Sequence, residues 1–213
     1  MGTREYLFLS AFCISAFYSI PSFYVTYRVA EAILRRPVRL SSSFFKVFLH
    51  DRLLSLTFFT FGMVFIRLPM TGVTTMLLCR IPPNFVVTII YVIFYYLNYA
   101  AIYSTLAISI LRVSAVLRPM EYDALQKPLS WILVISVYLL PVVTTWFLVP
   151  AMSYYTPLSV SLESASVTIN YVKVFPEWRS SLALVFVTSL TCGFDLICFF
   201  ITILGWRTLI SRL

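Results

Sequence analysis

Charged side chains are scarce in this 213-residue chain and make up only 11% of it, whereas a soluble domain averages about 25%. Hydrophobic residues make up 61%. Low hydrophobicity and high charge mark a disordered chain, so this composition excludes one. The few charges also cannot cover the surface of a soluble enzyme of this size. Lipid must therefore solvate part of the exterior.

Histidine and cysteine are also scarce, which limits the possible chemistry. His50 is the only histidine, so a Ser-His-Asp triad has no strong candidate. Of the four cysteines only Cys79 lies outside an apolar stretch, and residues 151–180 contain none. Cys79 is therefore expected to be unpaired, or paired with something outside this chain. No spacing typical of a zinc site occurs. We predict no enzyme activity, no metal and no cofactor.

Five apolar segments are long enough to cross a bilayer. Lipid offers no hydrogen bonds, so each crossing must be a helix of about 20 apolar residues. The segments do not alternate apolar and polar residues as barrel strands do. The sequence predicts an all-α membrane protein, in which residues 1–213 form a single transmembrane domain. The predicted helical bundle has about five transmembrane helices, at residues 6–27, 44–66, 83–111, 129–149 and 181–206.

The distribution of Lys and Arg predicts how the chain is oriented. Ten of these residues flank one side of the predicted spans and five flank the other. The side with more basic residues faces the cytoplasm by the positive-inside rule. We therefore expect a multi-pass protein with its N-terminus outside and its C-terminus in the cytoplasm. The basic charge is expected to attract the anionic lipid bilayer. It offers no soluble basic face for nucleic acid.

Several polar residues lie within the predicted spans, where ionisable groups are costly and mark either function or internal pairing. Asp51 follows His50 and precedes Arg52 in the second span. We expect Asp51 to face the bundle interior and to pair with Arg112 or another buried donor. His50 and Arg52 can instead extend to the nearby interface. Asp195 lies near the middle of the fifth span, where it either contacts a ligand or links helices.

The third span carries a stripe of tyrosines at every fourth position, which places them along one helix face. Its members are Tyr91, Tyr95, Tyr99 and Tyr103. Asn98 lies beside the stripe, about 21 Å from Arg112 along the helix axis. Tyr95, Tyr99, Asn98, Asp51 and Asp195 are therefore candidates for an intramembrane polar network or a pocket for a small organic ligand. Ordinary packing between helices is the alternative.

The segment SILRVSAVLRPMEYDALQKPLSW, residues 109–131, resembles a signature of nematode serpentine chemoreceptors. In that group an Arg closes the third span, followed by a Pro, an aromatic residue and a Trp. SFFKVFLHDRLLSL, residues 43–56, resembles the second span of class gamma members, with Asp51 at the acidic position. IRLP (66–69) and VTINYVKVFPEWRSSLAL (167–184) resemble further parts of that class.

The resemblance implies a rhodopsin-like bundle in the plasma membrane of a chemosensory neuron. It implies a receptor that binds a small external chemical and activates a heterotrimeric G protein. Arg112, Arg118 and Tyr122 would then lie on the G-protein face. The family has seven spans, so a chain with five is expected to be truncated, incompletely predicted or degenerate. The acidic residue that usually precedes the Arg is replaced by Leu111.

Two other functions remain open on the sequence alone. A non-signalling membrane protein that associates with full-length receptors would have the same composition. A small carrier or channel subunit would use Asp51 and Asp195 in the membrane. The chain has only 5 Gly and no visible repeat, whereas carriers usually show repeats or helices broken by Gly and Pro.

Overall fold

The computed structural model describes residues 3–35, 43–117, 122–157, 166–172, 174–175 and 178–210. Within these residues five helices are long and apolar enough to cross a membrane. They are α1 (Thr3–Arg35), α2 (Ser43–Gly62), α3 (Phe85–Leu117), α4 (Tyr122–Thr145) and α5 (Ser180–Ile210). The prediction of a helical membrane bundle is confirmed. That residues 1–213 form a single domain stays a prediction.

The helices begin and end at somewhat different residues from the predicted spans. Some of them continue beyond the apolar stretch into polar residues. Helix α1 continues past residue 27 to Arg35. In this extension Arg28 and Arg35 both pair with Glu31, at 3.1 and 3.0 Å. Such pairs one turn apart stabilise an exposed helix end. Helix α3 begins at Phe85 rather than at residue 83, after Asn84, whose Oδ1 accepts the Val87 N–H at 3.0 Å.

Helix α2 continues beyond Gly62 through one widened turn, Met63–Arg67, and a last short turn, Leu68–Met70. Pro69 explains the irregularity. It has no N–H to donate to the preceding turn, and its ring clashes with a regular helical backbone. The widened turn lets the chain stay helical to Met70. The helical region therefore extends past residue 66, where the predicted second span ends.

Helix α3 lies at the centre of the bundle and packs against α2, α4 and α5. A central cluster joins α2, α3 and α4 through Leu54, Ala100, Ala107 and Val137. A second cluster, of Val47, Ile108 and Leu111, lies where α2 and α4 begin and α3 ends. We call this end of the bundle the basic end. Helix α1 contacts only the α2 region closely, and its apolar side chains are mostly exposed to the lipid region.

A two-stranded antiparallel hairpin lies at the opposite end, which we call the hairpin end. Its strands are β1 (Ser153–Pro157) and β2 (Val167–Tyr171), with Tyr155 opposite Ile169. The predicted all-α fold includes no strand in this region. Both strands are nevertheless rich in aromatic and β-branched residues, which favour extended structure. The fold is thus a helical bundle with one small sheet at one end.

Two glycines of α5 provide a matched test of the contact between α5 and α3. A Cβ on Gly205 would lie 2.5 Å from Cγ1 of Val116, whereas a Cβ on Gly193 meets nothing within 4 Å. Both Gly→Ala changes bring the same gain in helix propensity. We expect Gly205→Ala to be about 1–3 kcal/mol less stable than Gly193→Ala, because overpacking costs that much. Thermal unfolding in detergent measures the difference. Equal stabilities would contradict the close approach of α3 and α5.

Candidate functional site

The carboxylate of Asp51 is a charged group inside the bundle. It is 1% exposed. Ser104 on α3 donates a hydrogen bond to its Oδ1 at 2.8 Å, and Nη2 of Arg52 lies 3.2 Å from its Oδ2. Both carboxylate oxygens therefore have partners, as a buried charge requires. The prediction that Asp51 faces the interior is confirmed.

The partner of Asp51 is Arg52 rather than Arg112. The Arg52 guanidinium also lies 5.1 Å from the centre of the Phe48 ring, and its side chain is half-exposed. Arg112 is exposed on the basic end of α3. Among the residues that the structure describes, Asp51 and Arg112 form no ion pair. The buried donor to Asp51 is the Ser104 hydroxyl on α3.

The tyrosine stripe of α3 is packed inside the protein at the hairpin end. Tyr91 and Tyr99 are buried, and the rings of Tyr91, Tyr95 and Tyr99 follow one another at 4.8 and 6.3 Å. The Tyr91 hydroxyl lies 3.2 Å from Oγ of Ser180 and 3.4 Å from the Tyr95 hydroxyl. Tyr91 and Tyr95, the outer residues of the stripe, therefore contribute to packing, which is the alternative to a ligand pocket.

Tyr99 differs from Tyr91 because its hydroxyl group has no partner. The side chain is 0% exposed, and within the described part of the chain the hydroxyl makes no hydrogen bond. An unpaired buried hydroxyl costs about 1–3 kcal/mol. Asn98, the next residue to the N-terminal side, is half-buried. Tyr99 thus offers a polar atom that another molecule can satisfy.

The hairpin is attached to the outer end of α3 through Thr88. The Thr88 hydroxyl donates to the carbonyl of Ala151 and accepts the N–H of Ser153, both at 2.9 Å. On β2 the Tyr171 hydroxyl accepts the N–H of Ser180 at 3.1 Å. Burial raises the pKa of the Tyr155 hydroxyl, so this strand side chain stays neutral. These bonds hold the hairpin over the end of the tyrosine stripe.

Asp195 lies in the middle of α5 and is half-buried. Its Oδ1 is enclosed and has no hydrogen-bond partner among the described residues. A carboxylate in such a place is costly while charged, so a further donor is needed to stabilise it. The structure does not bring Asp195 into the Asp51 cluster.

Two of the proposed G-protein contacts lie at or beyond the limits of the described structure. Arg118 lies outside the described residues. Tyr122 begins α4, but its side chain is not among those described. Cys79, near the hairpin end, is a free cysteine in this chain.

Sequence reasoning missed Ser104, the closest partner of Asp51 on another helix. A signal was present. Ala100, Ser104 and Ala107 are small residues on successive turns of one face of α3. Such a pattern lets neighbouring helices approach closely in membranes, and serine there can bond across the interface. The same face contributes to the packing of α3 against α2 and α4.

Five long apolar helices with several buried polar groups between them define a multi-span membrane protein. The family model for the serpentine type 7TM GPCR chemoreceptor Sru matches residues 5–212, so the chain belongs to the Sru family. This is a family of receptors and not of enzymes. The chain is similar to "Serpentine receptor class U-26" of Caenorhabditis elegans, with 23% identity over 133 residues.

That match covers 62% of this chain and 46% of the relative, so the chain aligns with about half of the relative's length. The predicted membership of the serpentine chemoreceptors is confirmed. The assignment to class gamma is not, because the family that matches is class U. The segments that suggested class gamma are residues 43–56, with the acidic Asp51, and the shorter matches at 66–69 and 167–184. They are not specific enough to separate related receptor classes.

We expect the Ser104 hydrogen bond to contribute measurably to stability. Ser104→Ala should lower the free energy of unfolding by about 1.5–3 kcal/mol, because it removes a bond to a buried charge. Ser114→Ala is the control, since Ser114 on the same helix donates only to the carbonyl of Leu111. Thermal unfolding of both variants in detergent checks this. Equal loss in the two would contradict the assigned role of Ser104.

Proposed function

We propose that the chain is a chemosensory receptor, or the receptor core of one, that detects small external chemicals and activates a heterotrimeric G protein. Membership of the Sru family supports this reading at the level of the receptor class. In this proposal, the ligand contacts and the G-protein contacts follow from the arrangement of α3. The protein is placed in the plasma membrane with its N-terminus outside.

The observation that carries the proposal is the way α3 connects the two ends of the bundle. One uninterrupted helix, Phe85–Leu117, carries the buried Tyr99 hydroxyl and the exposed Arg112. These residues are about 20 Å apart along the helix axis. A ligand that contacts Tyr99 can therefore change the position of a rigid element whose other end is exposed where a G protein binds.

Asp51 has a structural part in the proposal, because it links α2 to α3 between these two positions. The Asp51–Ser104 bond lies one turn beyond Tyr99 on α3, on the side towards Arg112. A shift of α3 would strain or break this bond. Asp195, with its enclosed and unpaired oxygen on α5, is the second group that a polar ligand can contact.

Signalling is tested by expressing the chain in cells with a G-protein activation reporter and applying a panel of small volatile and water-soluble organic compounds. Once a response is found, Tyr99→Phe should raise the half-maximal concentration about 5-fold through loss of one hydrogen bond. Tyr24→Phe, an exposed position on α1, is the control. Arg112→Ala should abolish the response, while Arg80→Ala, exposed near the hairpin end, should not.

Silence of the chain beside a responding Sru receptor in the same cells would contradict the signalling proposal. Recovery of the silent chain in a complex with that receptor would then favour the non-signalling alternative. An unchanged response in Arg112→Ala would remove Arg112 from the G-protein face. Each variant is first checked for delivery to the cell surface.

The proposed orientation predicts which terminus is accessible from outside the cell. An epitope tag placed before Met1 should bind a non-permeant antibody on intact cells, because the basic loops hold the opposite side in the cytoplasm. A tag placed after Leu213 should bind only after permeabilisation. The two tagged chains serve as each other's control, and the reverse pattern would contradict the orientation.

A further inference from the structure

A cavity lies between α2 and α4 at the basic end, away from the tyrosine stripe. It has a volume of about 610 Å³. Ser43, Lys46 and His50 line it from α2, and Lys127, Ser130 and Trp131 line it from α4. We propose that this cavity binds the headgroup phosphate of an anionic phospholipid from the bilayer, and that the lipid tails lie along the apolar surface beside Trp131.

The two helices that line the cavity carry the same arrangement of side chains. Each helix carries a lysine near its start and a ring side chain one turn deeper, which is about 6 Å further along the helix axis. On α2 these are Lys46 and His50, and on α4 they are Lys127 and Trp131. Both lysines are exposed. The lysines therefore supply positive charge to the cavity, and the ring side chains of His50 and Trp131 lie one turn deeper on their helices.

The positive charge of this cavity is not neutralised by the described residues around it. No carboxylate of the described side chains lines it, and in the described ranges neither lysine takes part in an ion pair. Asp51, the nearest acidic residue along α2, is already bound to Ser104 and Arg52. Basic cavities between helices at a membrane surface are suited to anionic lipid headgroups. The beginning of α2 adds the positive end of its helix dipole.

His50 is a further residue of the cavity wall that can contact the phosphate. The imidazole packs on the Tyr138 ring at 5.3 Å. Its Nε2 is enclosed and has no hydrogen-bond partner in the described part of the chain. In the tautomer with a proton on Nε2, this atom donates to a phosphate oxygen. Enclosed polar atoms need such a partner.

The lipid source is favoured over a free phosphate by the position of Trp131. Its side chain is 65% exposed on the side of α4 that faces the lipid region. Tryptophan is enriched at the boundary between headgroups and acyl chains. The mouth of the cavity therefore opens where a phospholipid already places its phosphate. A phosphatidylcholine headgroup carries a cation that the lysines repel, so the site selects an anionic lipid.

The test uses the purified chain in phosphatidylcholine nanodiscs. Binding of tail-labelled phosphatidic acid is followed by energy transfer from tryptophan. We expect Lys46→Gln with Lys127→Gln to weaken binding about 25-fold, at about 5-fold for each lysine. The matched control is Arg28→Gln with Arg35→Gln. It removes two charges from the basic end of α1, away from the cavity, and should change binding less than about 3-fold.

Two further arms locate the lipid and identify its source. His50→Phe keeps a ring against Tyr138 but removes the donor, and it should weaken binding about 5-fold. Glycerol 3-phosphate should not compete with phosphatidic acid. Size-exclusion chromatography confirms that each variant is folded and monodisperse. Since the nanodiscs are symmetric and no agonist is used, the result is independent of the proposed orientation and of signalling.

Four results would overturn the proposal. Equal losses in the two double variants would show a diffuse surface attraction instead of a site. Full affinity of His50→Phe would place the lipid outside the cavity. Effective competition by glycerol 3-phosphate would identify a site for soluble phosphate esters. Equal binding of tail-labelled phosphatidylcholine would show that the cavity does not select for charge.

Discussion

The close packing of α3 against α2, α4 and α5 is the constraint on which the rest of this structure depends. In lipid there is little hydrophobic drive to bring helices together, so close contact must come from side chains that fit. Ala100, Ser104 and Ala107 make one face of α3 narrow enough for this. That closeness places the Ser104 hydroxyl within hydrogen-bond distance of Asp51. The same helix carries the tyrosine stripe at one end and Arg112 at the other.

Some buried polar groups have hydrogen-bond or ion-pair partners among the described residues, and others do not. Asp51 has partners for both oxygens and therefore stabilises the contact between α2 and α3. The enclosed atoms of Tyr99, Asp195 and His50 have no such partners in the described residues. Each unpaired group carries a free-energy cost. A bound molecule that supplies a hydrogen-bond partner would offset that cost. The ligand proposal therefore uses Tyr99 and Asp195, and the lipid proposal uses His50.

The two ends of the bundle differ in secondary structure and in charge. At the hairpin end, Thr88 and Tyr171 hold a small sheet through hydrogen bonds to backbone groups. At the basic end, Lys46 and Lys127 line a cavity that no carboxylate of the described chain neutralises. The two described strands lie beyond the apolar spans, where water can satisfy polar groups. This asymmetry fits a receptor that meets chemicals on one side and a charged membrane surface on the other.

The sequence alone was enough to determine the five helices, the burial of Asp51 and the receptor superfamily, because lipid imposes length and polarity on every span. It also contained the small residues around Ser104, although their meaning depends on which helix lies opposite. Only the tertiary structure decided that Asp51 pairs with Arg52 instead of Arg112, and that Lys46 and Lys127 share one cavity. These are contacts between helices, and apolar periodicity sets which face is buried but not which neighbour it meets.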